Sequence, residues 1–342
     1  MARHARLRLL SCKALLAIIM TKFYLGIDTG ATKSHALIAD ENGRILGFGQ
    51  SGPGNWEGVG WEGTRQVLTE IISQACQQTG IQPSQLSGAG FGLAGYDWPE
   101  DRAPHEQIIR DIICDTPFTL VNDVFIGLPA GSDAGWGVVV GAGTSCNCYG
   151  RNPQGKIGRV MGSSYWGDEM AGSGELVHRA IQMVARAWAQ RGQKTKLADA
   201  FIAEVGAKDT EDLLAGLMRK RYDLNASYAP LVFAVANNGD PVAQDIVQWA
   251  GFGLGDVANG VIRQLDIAES TFDVVLGGSF FKGSPLLISS MERMIHTIAP
   301  YAQLVRLDAP PVIGAVLLGM EHDNLDKANL RQALIQQNKQ LV

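Results

Sequence analysis

The sequence predicts an α/β protein built of two duplicated domains with a cleft between them. Three observations lead there. Each half opens with three short strands. In each half an apolar strand runs into a glycine turn that carries hydroxyls, Gly30-Ala31-Thr32 in the first and Gly141-Ala142-Gly143-Thr144-Ser145 in the second. Amphipathic helices separate the later strands, which is the pattern of parallel pairing. The boundary is expected near residue 134, with an N-terminal domain over 22–133 to which 311–342 return, and a C-terminal domain over 134–310. A chain of 342 residues is long enough for each to have its own core.

In the first half, strands are expected near 23–28, 34–40 and 44–49, with Glu41-Asn42-Gly43-Arg44 as a hairpin turn. Val67, Leu68, Ile71, Ile72 and Ala75 recur at helical spacing, and Gly80 stops that helix. A strand over Gly88–Leu93, a helix around 102–114 and a strand at 118–122 follow, the last running into Asn122-Asp123. In the second half, strands fall near 136–140, 145–150 and 156–161, with Asn152-Pro153-Gln154-Gly155 as a turn. Helical segments then dominate to about residue 300. The clearest runs from Pro241 to Leu265, with proline suited to its first turn. A strand at 272–276 ends in Gly277-Gly278-Ser279, and a helix at 312–321 crosses back to the first domain. The tail after Asn324 reads equally as an amphipathic helix or as disordered chain.

A net charge of −5 gives no reason to expect nucleic acid or an anionic membrane as partner. The five cysteines, Cys12, Cys76, Cys114, Cys146 and Cys148, form no C-x-x-C pair, and their odd count suits a reducing cytoplasm. Cys146 and Cys148 should face one side of a strand and be buried. Residues 1–21 are expected to be an extension outside the fold: Lys13 interrupts the apolar run, and no small-x-small cleavage site follows.

The stretch Tyr24–Ser34 carries the first chemical signal. An apolar strand ends at Asp28, and Gly30, Thr32 and Lys33 follow in the turn. Such a turn offers backbone N–H groups and hydroxyls to a polyphosphate, with Asp28 placed to hold a divalent cation. The alternative is a hairpin with a polar tip. Other glycine motifs are weaker. Gly58–Gly63 fits G-x-G-x-x-G without a preceding strand, Gly90–Gly95 lacks a clean helix after it, and Gly150–Lys156 is one residue short of a P-loop. The six histidines show no ligand spacing, so a metal here would be Mg²⁺ held by carboxylates and phosphates.

Five pieces in order carry a resemblance: the Asp28 turn, Asn122-Asp123, Gly141–Ser145, Gly277-Gly278-Ser279 and Pro310–Ala315. Over residues 22–321 the chain resembles the actin, sugar-kinase and heat-shock ATPase superfamily. Within it the chain looks most like the N-acetylglucosamine kinase branch of the BadF/BadG/BcrA/BcrD ATPase family. The resemblance implies actin-like (ribonuclease H-like) domains, ATP and Mg²⁺ as cofactors, and phosphorylation of the primary 6-hydroxyl of an amino sugar, N-acetylglucosamine or glucosamine. Gly30, Thr32, Lys33, Gly141, Gly143, Thr144 and Ser145 would take the phosphates, Asp28 the magnesium, and Gly277, Gly278 and Ser279 the adenosine. Asp123 matches the residue that acts as base on the acceptor hydroxyl, and a helix or turn cap is its structural alternative. Asn55, Gly95, Asn122 and Asp168 match positions that meet the sugar.

The chain departs from the sugar kinases in Gly162–Trp166, Met170–Ser173 and Ser145-Cys146-Asn147. The resemblance therefore supports the phosphate machinery better than the choice of sugar. A small-molecule sugar is the implied partner, and a homodimer is left open. Two other functions stay open, an ATPase activator of a radical dehydratase or reductase and a non-catalytic sugar-binding regulator.

Overall fold

The structure, a computed structural model, describes residues 21–162, 166–167, 171–323 and 325–341. The described residues divide into two compact units, those up to 135 together with those from 308 on, and those between 136 and 307.

The first unit is a five-stranded sheet in the order β3-β2-β1-β4-β5, formed by β1 (Phe23–Thr29), β2 (Ser34–Asp40), β3 (Ile45–Ser51), β4 (Gly88–Leu93) and β5 (Phe118–Asn122). The first three are antiparallel neighbours, whereas β4 and β5 join in parallel. One face packs on helix α1 (Trp56–Thr79), whose inner residues Leu68, Ile71, Ile72 and Ala75 are buried; the chain then passes through α2 (Arg102–Ile113) and the short α3 (Gly127–Gly131). Alternate glycines Gly47 and Gly49 let β3 lie against the α1 backbone, where a Cβ would strike the Ala75 and Ile71 carbonyl oxygens. At that distance two helix side chains reach the strand's outer edge. The Phe48 N–H donates to Gln78 Oε1 at 3.0 Å, and the Gln50 N–H to Gln74 Oε1 at 2.9 Å, so edge groups that could recruit another strand are occupied.

The second unit repeats the plan. Strands β6 (Gly137–Ala142), β7 (Cys146–Arg151), β8 (Ile157–Val160), β9 (Asp273–Gly277) and β10 (Gln303–Arg306) lie in the order β10-β9-β6-β7-β8. The antiparallel β6, β7 and β8 match β1, β2 and β3, and the parallel β9 and β10 match β4 and β5. Strand β10 is absent from the sequence reading. Helices α4 (Ser173–Trp188), α5 (Leu197–Val205), α6 (Thr210–Met218) and α7 (Ala229–Asn237) lead to α8 (Pro241–Leu265). Helix α8 begins at an Asp240 cap that accepts from the Ala243 N–H at 2.9 Å and ends at Asp266 in the left-handed region. Cys146 and Cys148 are buried in this unit's core.

After α9 (Pro285–Ile295) and β10, helix α10 (Pro311–Met320) belongs to the first unit. It packs on β1 and β4 and is buried from Val312 to Met320. The tail is helical as α11 (Lys327–Leu341). No helix among the described residues is long and apolar enough to cross a membrane.

Candidate active site

Asp28 lies at the carboxyl end of β1, in register with His35 on β2 and Gly92 on β4. The turn beyond it closes with a Gly30 N–H bond to the Lys33 carbonyl at 3.0 Å, leaving Thr32 and Lys33 exposed at its tip. Burial pushes the Asp28 carboxyl up to about 7, against the opposing pull of the Lys33 ammonium. A carboxyl this costly to ionise fits a divalent cation, because the cation would supply the charge that burial denies it. Among the described residues, no group of three His, Cys, Asp or Glu side chains could enclose a metal alone.

Of the residues expected to meet the sugar, Asn55, Gly95 and Asn122 lie around the loop after β4. Gly95 sits at φ +80°, and a Cβ there would strike Asn55 Oδ1, so only glycine lets the two segments touch. The Trp56 indole N–H donates to the Gly95 carbonyl at 2.7 Å, and its ring stacks on Trp61 with centroids 4.4 Å apart. Asn55 caps α1, accepting from the Glu57 N–H at 3.0 Å and donating to Glu57 Oε2 at 3.2 Å. His105 lies edge-on to Trp61 at 4.9 Å and is fully buried. Its Nδ1 bonds the Asp101 carbonyl at 2.7 Å, and its Nε2 has no hydrogen-bond partner.

Asn122 and Asp123 follow at the end of β5. The buried Asn122 amide donates to Asp97 Oδ1 at 3.0 Å and to the Tyr96 carbonyl at 3.4 Å, while its Oδ1 accepts from the Val124 N–H at 2.9 Å. Both amide hydrogens are thus committed within the protein, and Asn122 braces the loop. Asp123 does not cap α3; Ile126 holds that position. The Asp123 carboxyl is raised to about 7, first by burial and then by the charges of Asp28 and Asp97, against bonds from the Val124 and Asp123 N–H groups. A carboxyl held there ionises near neutrality.

In the second unit, Gly141 on β6 stands in register with Gly277 on β9. The predicted phosphate turn and adenosine motif are therefore neighbours at the carboxyl ends of adjacent parallel strands, where α/β sheets receive ligands. Gly278 adopts φ +109° against the Ala142 carbonyl, and Ser279 opens the next turn. Gly143 bonds the Ser145 carbonyl at 2.9 Å, and the Gly143 and Thr144 carbonyls accept from the Ser173 and Gly174 N–H groups at 2.9 and 3.0 Å. Helix α4 thus anchors the turn and leaves Gly143 and Thr144 exposed. Asp168 lies outside the described residues. Asp97, Trp61 and His105 had no role in the sequence reading; the one local signal was a carboxylate two residues beyond Gly95.

The chain belongs to the BadF/BadG/BcrA/BcrD ATPase family, whose profile matches residues 25–319. It is 27% identical over 303 residues to an N-acetylmuramic acid/N-acetylglucosamine kinase of Clostridium acetobutylicum, covering 87% of this chain and 98% of that one. It is 25% identical over 315 residues to an N-acetyl-D-glucosamine kinase of Dictyostelium discoideum, with the same coverage of 87% and 98%. The ROK hexokinase of Thermus thermophilus matches its fold at a TM-score of 0.55 and 19% identity, over 88% of this chain and 98% of that one. The duplicated α/β plan is that of the actin-like ATPases.

Proposed function

We propose that the protein is an ATP- and Mg²⁺-dependent kinase that phosphorylates the primary 6-hydroxyl of an amino sugar, N-acetylglucosamine or glucosamine. The observation that carries this reading is Asp123, a carboxyl poised near neutrality at the end of β5. It stands beside a loop rich in short polar and aromatic groups. Sugar kinases of the same family support it from outside.

Phosphoryl transfer needs in-line positioning and charge neutralisation more than covalent help from the protein. The sugar hydroxyl would pass its proton to Asp123 as its oxygen bonds the γ-phosphorus, and the bond to the ADP oxygen would break. Asp28 would hold Mg²⁺, which supplies charge stabilisation at the phosphates. The Gly30–Lys33 and Gly141–Ser145 turns each offer exposed N–H groups or hydroxyls to phosphate oxygens, and Gly277–Ser279 offer a backbone surface to adenosine. Asn55, Gly95, Asn122 and Asp168 are assigned to the sugar side, Asn122 as its brace. We place the enzyme in the cytoplasm, because Cys76, Cys114, Cys146 and Cys148 are free thiols.

The test is ADP release from Mg-ATP with N-acetylglucosamine, glucosamine, N-acetylmuramic acid, glucose or no sugar, run beside Asp123→Asn. Sugar-dependent turnover that falls about 10²- to 10⁴-fold in the variant is the expected result. Hydrolysis indifferent to sugar, or none, would overturn the reading.

A further inference from the structure

We propose that Asp97 is a positioning residue: its bond to the Asn122 amide fixes the turn that presents Asp123 to the acceptor. The inference rests on the kinase reading for its catalytic meaning, but the bond itself can be tested without it.

The loop bearing Asp97 is held from several sides. Trp56 Nε1–H donates to the Gly95 carbonyl at 2.7 Å, and Asp101 Oδ2 accepts from the Asp97 and Trp98 N–H groups at 3.1 and 2.7 Å. His105 in turn bonds the Asp101 carbonyl. Asp97 is therefore carried on a braced loop. From that loop its Oδ1 takes an Asn122 amide hydrogen at 3.0 Å.

The bond sets which way the amide faces. With Nδ2 turned to Asp97, Asn122 Oδ1 must face the other way, where it accepts from the Val124 N–H at 2.9 Å. The Phe125 N–H closes the same turn on the Asn122 carbonyl at 3.0 Å. Asp123 sits inside this turn, and its carboxyl shares the Val124 N–H. A flipped amide would put an NH₂ group against that N–H and open the turn. The Asp97 carboxylate, with the Tyr96 carbonyl that accepts from the same Nδ2 at 3.4 Å, thus makes one amide orientation stable. Its charge also adds to the field that keeps Asp123 basic.

The experiment compares Asp97→Ala, Asp97→Asn, Asn122→Ala and the double alanine variant, each assayed for kcat and KM and for hydrogen exchange over residues 120–128. Asp97→Ala should lower kcat about 10- to 100-fold, as misplacement of a reacting group does, and leave KM for ATP within about twofold. Exchange over 120–128 should speed up in the same variant. Asp97→Asn keeps an acceptor oxygen for the Asn122 amide and should recover most of both losses. Asn122→Ala should lose at least as much as Asp97→Ala, because it also removes the bonds to the Tyr96 carbonyl and the Val124 N–H. The double variant should lose no more than Asn122→Ala, because the Asp97–Asn122 bond is already gone in each single variant.

Unchanged exchange in Asp97→Ala, full additivity in the double variant, or Asp97→Asn as impaired as Asp97→Ala would each overturn the inference. A wild-type protein without sugar-dependent turnover would defeat the kinase reading instead. The exchange and rescue data would still decide whether Asp97 holds the turn.

Discussion

Asp28 and Asp123 stand at the carboxyl ends of β1 and β5, two strands apart in one sheet, and the charge of the first raises the proton affinity of the second. One site thus contains two carboxyls that resist being ionised together. A cation held at Asp28 would relieve both, so under the proposed function magnesium binding and the readiness of Asp123 as base would be linked through charge.

That linkage has a pH signature. Asp123 must be ionised to accept a proton, and its carboxyl is raised to about 7. The sugar kcat/KM should therefore climb from about pH 5 and level off near or above pH 7, and added Mg²⁺ should move the limb to lower pH. A profile flat over that range would remove Asp123 as the base.

Stability should respond in the opposite sense. Asp28 has a folded-state pKa near 7, above its value of 3.8 when free, so the folded chain binds more protons than the unfolded one between those limits. Its contribution is then intact at low pH and is lost as pH rises through about 7. A shift of this size corresponds to about 4 kcal/mol, which residual solvent contact reduces to roughly 1–3 kcal/mol. Metal-free Asp28→Asn should melt a few degrees above the wild type at pH 8, and the difference should vanish near pH 4. A variant that melts lower at pH 8 would contradict this account of the Asp28 site.

The Trp56 indole gives a prediction about the sugar side. Trp56→Phe keeps an aromatic ring for Trp61 but removes the donor to the Gly95 carbonyl. One lost bond of this kind costs about 1–3 kcal/mol where the acceptor stays buried. KM for the sugar should rise roughly tenfold with KM for ATP unchanged. An equal rise in both constants would mean that the loop does more than shape the sugar side.

Strands and turns around the glycine motifs were legible because their signals are local. The apolar run before Asp28, the Asn152–Gly155 turn and the Pro241–Leu265 helix each contain their own start and stop. Strand β10 did not: Gln303–Arg306 is four residues long, pairs only with β9 and carries no alternation that distinguishes it from loop. The bracing of the acceptor loop was hidden for a related reason. Asp97 and Asn122 are 25 residues apart and meet only because β4 and β5 pair in parallel. No periodicity in either segment encodes that meeting.

Helix α10 is made long after the strands it covers. The sheet of the first unit is complete in sequence by Asn122, yet the helix buried on β1 and β4 begins at Pro311. At a ribosomal pace of about 5–20 residues per second, the intervening chain takes roughly 10–40 s to emerge. Throughout that interval the apolar face of the nascent sheet lacks its cover, so the half that is translated first cannot complete its core until the other half has been synthesised.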